Sequence, residues 1–103
     1  MDFLQAYNRL QDNQSTSEAE AQRFLDSLDE ETQDKVIAAI YLGRYHFDHT
    51  KIRSDLDVSR GATDHIPRKD YARIIHEKSG NIELYLNKLE ECARNSDFNI
   101  DSI

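Results

Sequence analysis

The 103-residue chain has little cysteine, proline or glycine, with one Cys, one Pro and three Gly. Because Cys92 is the single cysteine, an internal disulfide is excluded. So few turn-forming residues disfavour a strand-rich sandwich and favour helices. We therefore expect an all-α fold, a compact single-domain bundle of about five or six short helices around a central helix near residues 28–43.

Long apolar runs are also absent, so the sequence contains neither a recognisable signal peptide nor a membrane span. With the lone cysteine, this predicts a reduced, cytoplasmic protein that does not bind membranes. Glycine-rich phosphate loops, nucleophile elbows and the His-Glu-x-x-His motif are missing too. No catalytic or cofactor-binding residue is predicted, and a non-enzymatic protein without a cofactor is expected.

Acidic residues exceed basic ones, for a net charge of −7. The excess is uneven, because residues 1–43 carry −6, residues 44–78 carry +2 and residues 79–103 carry −3. Non-specific nucleic-acid binding requires a clustered positive face. We therefore predict no nucleic-acid partner, while a local anion site in the mildly basic middle segment stays open.

The most complete helix signal runs from Ser27 to Arg44. Ser27 and Glu30 have the spacing of a capping box, so we predict that Ser27 is the N-cap. Residues 36–42 are nearly all apolar, which is typical of a helix surrounded by other elements. Gly43 is predicted to close this helix in the left-handed conformation, and Arg44 to lead out of the core.

Weaker periodic patterns predict the other helices. Residues 2–11 place Phe3, Leu4, Tyr7 and Leu10 inward, and the polar residues 12–15 end that helix. A further helix is predicted from Ser17, with a capping box at Glu20, and the last helix from Asn81 to Arg94. Between them, one helix is predicted from Asp48 to about Gly61, with Ile52, Leu56 and Val58 inward. Another is predicted from Pro67 to Ser79, with Tyr71, Ile74 and Ile75 inward. The tyrosines Tyr41, Tyr45, Tyr71 and Tyr85 are interpreted as core aromatics with a polar tip at the surface.

One helical domain accounts for residues 1–95, with residues 96–103 as a C-terminal tail. In the tail, Phe98, Ile100 and Ile103 alternate with polar residues. Such a pattern suits an extended segment with one side against an apolar groove. The groove could belong to the domain itself or to a neighbouring subunit.

Two stretches of the sequence resemble a bacterial family of small all-helical domains of unknown function that carries a Leu-Gly-Arg motif. The first stretch runs from Leu28-Asp29-Glu30-Glu31-Thr32-Gln33 to Ala39-Ile40-Tyr41-Leu42-Gly43-Arg44. The second stretch, Asn81-Ile82-Glu83-Leu84-Tyr85-Leu86 followed by Leu89-Glu90-Glu91, looks like the family's closing Tyr-Leu helix. The resemblance covers roughly residues 24–95 and implies a helical fold with no assigned activity.

A group of histidines and acids is the best candidate for a metal site, because imidazole and carboxylate together suit zinc, iron or manganese. The weak candidates are His46, Asp48 and His49, with His65 and His76 further along the chain. Their flanking pattern does not direct them into the core. A metal-dependent hydrolase or metal sensor in this region is the alternative function.

The leading functional prediction is a protein-interaction or self-associating module. Its candidate partner-binding residues are Arg44, Arg60, Arg68, Lys69, Arg73, Phe98 and Ile100. The alternative interpretation of the basic residues is that they are solvated or paired with acids of the same domain. The apolar tail residues require a surface on their own domain or on another chain.

Overall fold

The protein, described by a computed structural model over residues 1–12 and 17–103, consists of five α-helices and three short 3-10 turns. The helices are α1 (Phe3–Asp12), α2 (Glu18–Asp26), α3 (Glu30–Tyr45), α4 (Tyr71–Lys78) and α5 (Ile82–Asn95). The 3-10 turns are Arg60–Thr63, Arg68–Asp70 and Ile100–Ser102. No strand occurs in these two ranges, so the predicted all-α class is confirmed. Nor does any helix within them combine the length and apolarity required to cross a membrane.

α3 is the centre of the fold because its second half is buried on every side. The side chains of Val36–Ile40 are at most 1% exposed, and the helix packs against α5, α1 and the first 3-10 turn. The predicted cap was wrong, because Asp29 accepts the backbone N–H of Thr32 at 2.8 Å and is the N-cap. Ser27 instead ends α2.

Gly43 does not close α3, which corrects the prediction made from its conformational freedom. The glycine is buried inside the helix and has no positive φ. A β-carbon at this position would lie 2.2 Å from the carbonyl oxygen of Tyr85. Gly43 therefore serves the close approach of α3 to α5. The helix continues to Tyr45, with His46 as its C-cap.

α1 packs across α5 and α3. Its buried face follows Phe3, Ala6, Tyr7 and Leu10, and the hydroxyl of Tyr7 donates to the carbonyl oxygen of Leu86 at 2.5 Å. Leu4 was predicted on this face but is 46% exposed. It lies one position away from the 3.6-residue period that the other side chains follow. The predicted helix end at residues 12–15 falls mostly outside the described residues.

α2 and α4 form a second packed pair. The predicted cap of α2 is confirmed, because the hydroxyl oxygen of Ser17 accepts the backbone N–H of Glu20 at 3.1 Å. The predicted inward face of α4 is also confirmed, since Tyr71, Ile74 and Ile75 are buried. Pro67 is not in the first turn of α4. It precedes a 3-10 turn that leads into that helix.

The helix predicted to begin at Asp48 and end near Gly61 is absent. Residues 46–59 form turns and bends instead. Their backbone groups bond to side chains elsewhere rather than to one another in a helical pattern, and the N–H of Arg53 donates to Nε2 of His46 at 3.0 Å. Two further bonds connect the segment to residues of α5 and its cap: the N–H of Ile52 to the Ser96 hydroxyl and the Asn95 amide to the carbonyl of Thr50, each at 2.8 Å.

The C-terminal residues pack on the domain's own helices, one of the two arrangements expected for the tail. Ile103 is 5% exposed, and Phe98 and Ile100 are partly buried against the core. Nζ of Lys35 in α3 donates to the carbonyl oxygen of Asp101 at 2.6 Å. The last turn is a 3-10 turn rather than an extended strand.

Candidate interaction surface

His46, the first of the metal-ligand candidates, is fully buried, although the flanking sequence does not direct it inward. Nδ1 donates to the carbonyl oxygen of Leu42 at 2.7 Å, and Nε2 accepts the backbone N–H of Arg53. This pattern uses both ring nitrogens and requires the neutral Nδ1–H tautomer. Burial lowers the pKa of His46, and the nearby His49 and Arg53 lower it further.

Of the other metal-ligand candidates, His49 lies beside His46, with ring centroids 6.1 Å apart. Asp48 and His49 are exposed, His65 lies in the turn after the first 3-10 turn, and His76 lies on α4. Across residues 1–12 and 17–103, no three His, Cys, Asp or Glu side chains are placed to hold a metal ion. The geometry of this region thus lends no support to the metal-site hypothesis.

Two arginines of the basic group face the acidic start of α3. Arg68 forms a two-pronged pair with Asp34, at 3.0 and 2.9 Å, and a further contact with Glu30 at 2.7 Å. Arg60 pairs with Glu31. These contacts hold the loop after residue 59 onto α3 and neutralise both arginines.

The remaining members of the basic group lie on the outer side. Arg73 is 3.2 Å from Glu77 and 3.7 Å from Asp70, so it is paired within its own helical segment. Lys69 is exposed and has no ion pair to any residue that the structure describes. The four basic side chains predicted as a partner surface therefore do not form a free positive patch.

Asp34 is the most connected carboxylate of this network. It accepts a hydrogen bond from the hydroxyl of Tyr71 at 2.8 Å in addition to those from Arg68. Burial acts to raise the pKa of Asp34, but the hydrogen bonds from Arg68 and Tyr71 outweigh it, and the pKa is lowered. The network is consistent with a structural role that joins α3 to α4.

The cavity between α1, α2 and α4 has a volume of about 370 Å³ and is lined in part by Leu10, Phe24 and Ile75. Leu10 and Ile75 are at most 4% exposed. Because the apolar lining is already covered by the protein, the cavity has little apolar area to offer a ligand.

Cys92 is buried, and its thiol donates to the carbonyl oxygen of His49 at 3.3 Å. Burial raises the pKa of the Cys92 thiol. A reactive cysteine requires the opposite, an exposed and electropositive environment that lowers the thiol pKa. The geometry therefore supports a packing role for this side chain.

The last turns of α3 expose a different set of residues. Tyr41 and Tyr45 lie on the same side of the helix, with ring centroids 6.3 Å apart, and Tyr45 is 41% exposed. Lys78, at the end of α4, places its ammonium 5.0 Å from the centre of the Tyr41 ring. Arg44 is exposed between the two tyrosines in sequence. We call Tyr41, Arg44, Tyr45 and Lys78 the Tyr41–Tyr45 surface.

Neither cation of the Tyr41–Tyr45 surface forms an ion pair with any residue in the described part of the chain. Burial lowers the pKa of Lys78, and the positive charge of Arg44 lowers it further. Two like charges close enough to influence each other are unfavourable unless an anion is shared between them. This surface therefore carries two positive charges outside any ion pair among the described residues, on a protein that is acidic overall.

A second aromatic pair lies at the same end of α3. Phe47, 46% exposed, meets the ring of Tyr85 edge to face, with centroids 6.0 Å apart. Tyr85 is the residue whose backbone contacts Gly43. The close crossing of α3 and α5 thus lies beside the exposed ring of Phe47 and the partly buried ring of Tyr85.

The sequence interpretation missed most of this surface. It placed Tyr45 in the core, yet the spacing of Tyr41 and Tyr45 already puts them on one helix face next to Arg44. That spacing was the available signal. The approach of Lys78 from α4 has no signal in the sequence, because it depends on how α4 packs.

No family model matches the chain, and comparisons with the curated proteins and with the solved structures find no match either. Aromatic rings beside unpaired cations are suited to binding, since they combine apolar area with electrostatic attraction.

Proposed function

We propose that this protein is a non-enzymatic interaction module that binds a protein partner through the Tyr41–Tyr45 surface. The observation that carries the proposal is the exposed Tyr45 and the partly buried Tyr41 beside two cations that form no ion pair with the described residues. Tyrosine and arginine are among the residue types that contribute most to the binding energy of interfaces. Tyr45 and Arg44 supply both at the end of one helix.

The support beneath this surface favours binding without rearrangement. Leu42 and Gly43 are buried directly beside Arg44, and the backbone of Gly43 is packed against Tyr85. A side chain on a rigid helix loses less conformational freedom on binding than one on a mobile loop. We infer that the partner meets a preformed face.

We also propose membership of the helical family that the sequence resembles. The positions of the Leu-Gly-Arg motif support it with a physical reason for each residue. Leu42 fills the core, Gly43 allows α5 to approach, and Arg44 reaches the surface. A motif with these roles would preserve both the helix crossing and the binding face.

The test compares two aspartate substitutions at exposed apolar positions. Tyr45→Asp changes the proposed surface, and Leu4→Asp changes α1 at an equally exposed position. Tagged wild type and both variants are used to capture proteins from an extract of the source organism, with quantitative mass spectrometry and light scattering of the purified protein. We expect a partner that wild type and Leu4→Asp recover and Tyr45→Asp loses.

Light scattering separates a foreign partner from self-association, because a dimer of this chain doubles the mass in the purified sample. If wild type and both variants capture the same set of proteins and have the same molar mass in solution, the proposed surface is wrong. Equal melting temperatures of the two variants are required for the comparison.

A further inference from the structure

We propose that the partner presents an acidic segment, with carboxylates beside apolar side chains, to Arg44 and Lys78. The inference rests on the proposed function and adds the chemistry of the partner. The carboxylates would lie between the two cations, and the apolar side chains on the rings of Tyr41 and Tyr45.

The cations at the two ends of α3 have different partners. At the start of the helix, Arg60 and Arg68 meet three carboxylates, which are Glu30, Glu31 and Asp34. At the end of the helix, Arg44 and Lys78 meet none among the residues that the structure describes. The fold therefore pairs Arg60 and Arg68 with its own carboxylates. Arg44 and Lys78 form no such pair with the described residues.

Lys78 is a partly buried ammonium in an unfavourable environment. The negative charge of Glu77 opposes the lowering of the pKa of Lys78. That carboxylate is already engaged with Arg73 at 3.2 Å. A carboxylate from a partner would stabilise the charged forms of both Lys78 and Arg44 at once.

The geometry also suits carboxylates beside apolar groups. A guanidinium binds a carboxylate through two parallel hydrogen bonds, and within the described residues the Arg44 guanidinium is exposed and outside any ion pair. Lys78 already lies over the ring of Tyr41. Tyr45 leaves apolar ring area exposed beside these charges.

Charge disfavours a second copy of the chain as the occupant. The densest carboxylates of the chain, Glu30, Glu31 and Asp34, are already paired with arginines. Nucleic acid is disfavoured too, because two cations would neutralise too few phosphates.

A photo-crosslinking experiment identifies the occupant directly. Incorporation of p-benzoylphenylalanine at Phe47 leaves Tyr41, Arg44, Tyr45 and Lys78 intact, and Phe47 is exposed at the same end of α3. The full chain is irradiated in an extract of the source organism, and the cross-linked peptide is sequenced by mass spectrometry. We expect a peptide from another protein with several Asp or Glu residues next to apolar ones. The same probe at Leu4 is the positional control.

Charge reversal then tests the role of the two cations. The peptide is synthesised, and its affinity is measured for wild type, for Arg44→Glu with Lys78→Glu, and for the matched control Lys51→Glu with Arg94→Glu. The control residues are exposed and carry the same charge change. We expect the first double variant to weaken binding by about tenfold or more and the control to leave it unchanged. A peptide with its acids replaced by lysine should bind the first variant better than wild type.

The other outcomes contradict either the acidic partner alone or the interaction module as well. A partner peptide whose binding is insensitive to the reversal at Arg44 and Lys78 leaves the interaction module standing and overturns the acidic partner. A cross-link to a peptide of this chain identifies a second copy and also overturns it. Absence of any product beyond that of the Leu4 control overturns the proposed function together with the inference. If Arg44→Glu with Lys78→Glu lowers the melting temperature but leaves the affinity for the peptide unchanged, the two cations only stabilise helix ends.

Discussion

The carbonyl oxygen of Tyr85 occupies the space that a side chain at Gly43 would require, since a β-carbon there would lie 2.2 Å from it. Glycine inside a helix usually costs about 0.5–1 kcal/mol relative to alanine. The cost is offset here because α3 and α5 can pack with their backbones in contact. The same crossing positions Tyr85 beside Phe47.

We expect Gly43→Ala to lower the free energy of unfolding by about 1–3 kcal/mol, because neither backbone can move away without disturbing the core. Gly80→Ala is the matched control, since no atom lies within 4 Å of a β-carbon there and its φ is not positive. Urea unfolding followed by circular dichroism measures both. Equal stability of the two variants would show that the helices can separate at little cost.

The second prediction concerns the pH dependence that His46 imparts. Burial lowers the pKa of His46 below the value of about 6.5 expected in the unfolded chain. Between those two values the unfolded chain binds more protons, so the folded state loses stability as the pH falls. The contribution is therefore fully present above about pH 6.5 and is lost as the pH drops through the folded pKa, with a slope of at most about 1.4 kcal/mol per pH unit.

His46→Asn should remove this part of the pH dependence, because the titrating ring is gone. His65→Asn, a change at an exposed turn, should retain it. Unfolding free energies between about pH 5 and pH 8 provide the measurement. His49, Arg53 and Asp55 act on the His46 ring and are present in both variants. Parallel curves for the two variants would assign the pH dependence to other groups.

The third prediction concerns the hydroxyl of Tyr71, which donates to Asp34 at 2.8 Å. Tyr71→Phe removes this donor and keeps the ring, so we expect a loss of about 0.5–1.5 kcal/mol in the free energy of unfolding. Tyr45→Phe is the control, because its ring is exposed. The pKa of Asp34 should move back toward its ordinary value in Tyr71→Phe, which carboxylate NMR titration can follow. An unchanged titration would exclude the hydrogen bond.

The fourth prediction concerns residues 97–103. Deleting them removes the buried side chain of Ile103 and exposes the core beneath Phe98 and Ile100. We expect the free energy of unfolding to fall by about 1–3 kcal/mol, since the ordering entropy of the tail offsets part of the burial. Because the tail packs on its own domain, the melting temperature of the intact chain should not vary with protein concentration. A concentration-dependent melting temperature would indicate docking on a second chain.

Local signals in the sequence were sufficient for the elements with strong periodicity or caps. The apolar residues 36–42 predicted the buried half of α3, and Ser17 with Glu20 predicted the start of α2. These features depend on neighbours within about four positions, where side-chain spacing and capping act directly. The all-α class was predicted from the scarcity of proline and glycine.

Local signals failed where distant residues compete for the backbone. The segment 46–59 has helix-like spacing, but the N–H of Ile52 and the C=O of Thr50 bond to side chains at the end of α5, and the N–H of Arg53 bonds to the His46 ring. Gly43 is the same case, because its role comes from a carbonyl that lies 42 positions further along the chain.

The sequence by itself determined the apolar faces of the helices that form, the cap of α2 and where the charge is concentrated, because each depends on residue type and short-range spacing. Tertiary structure alone decided which cations are paired. Arg60 and Arg68 lie beside the acids of α3, whereas Lys78 approaches Tyr41 and Arg44 and forms no ion pair with any residue that the structure describes. Ion pairing acts over a few ångströms in space. The candidate surface therefore exists only once α4 has packed beside α3.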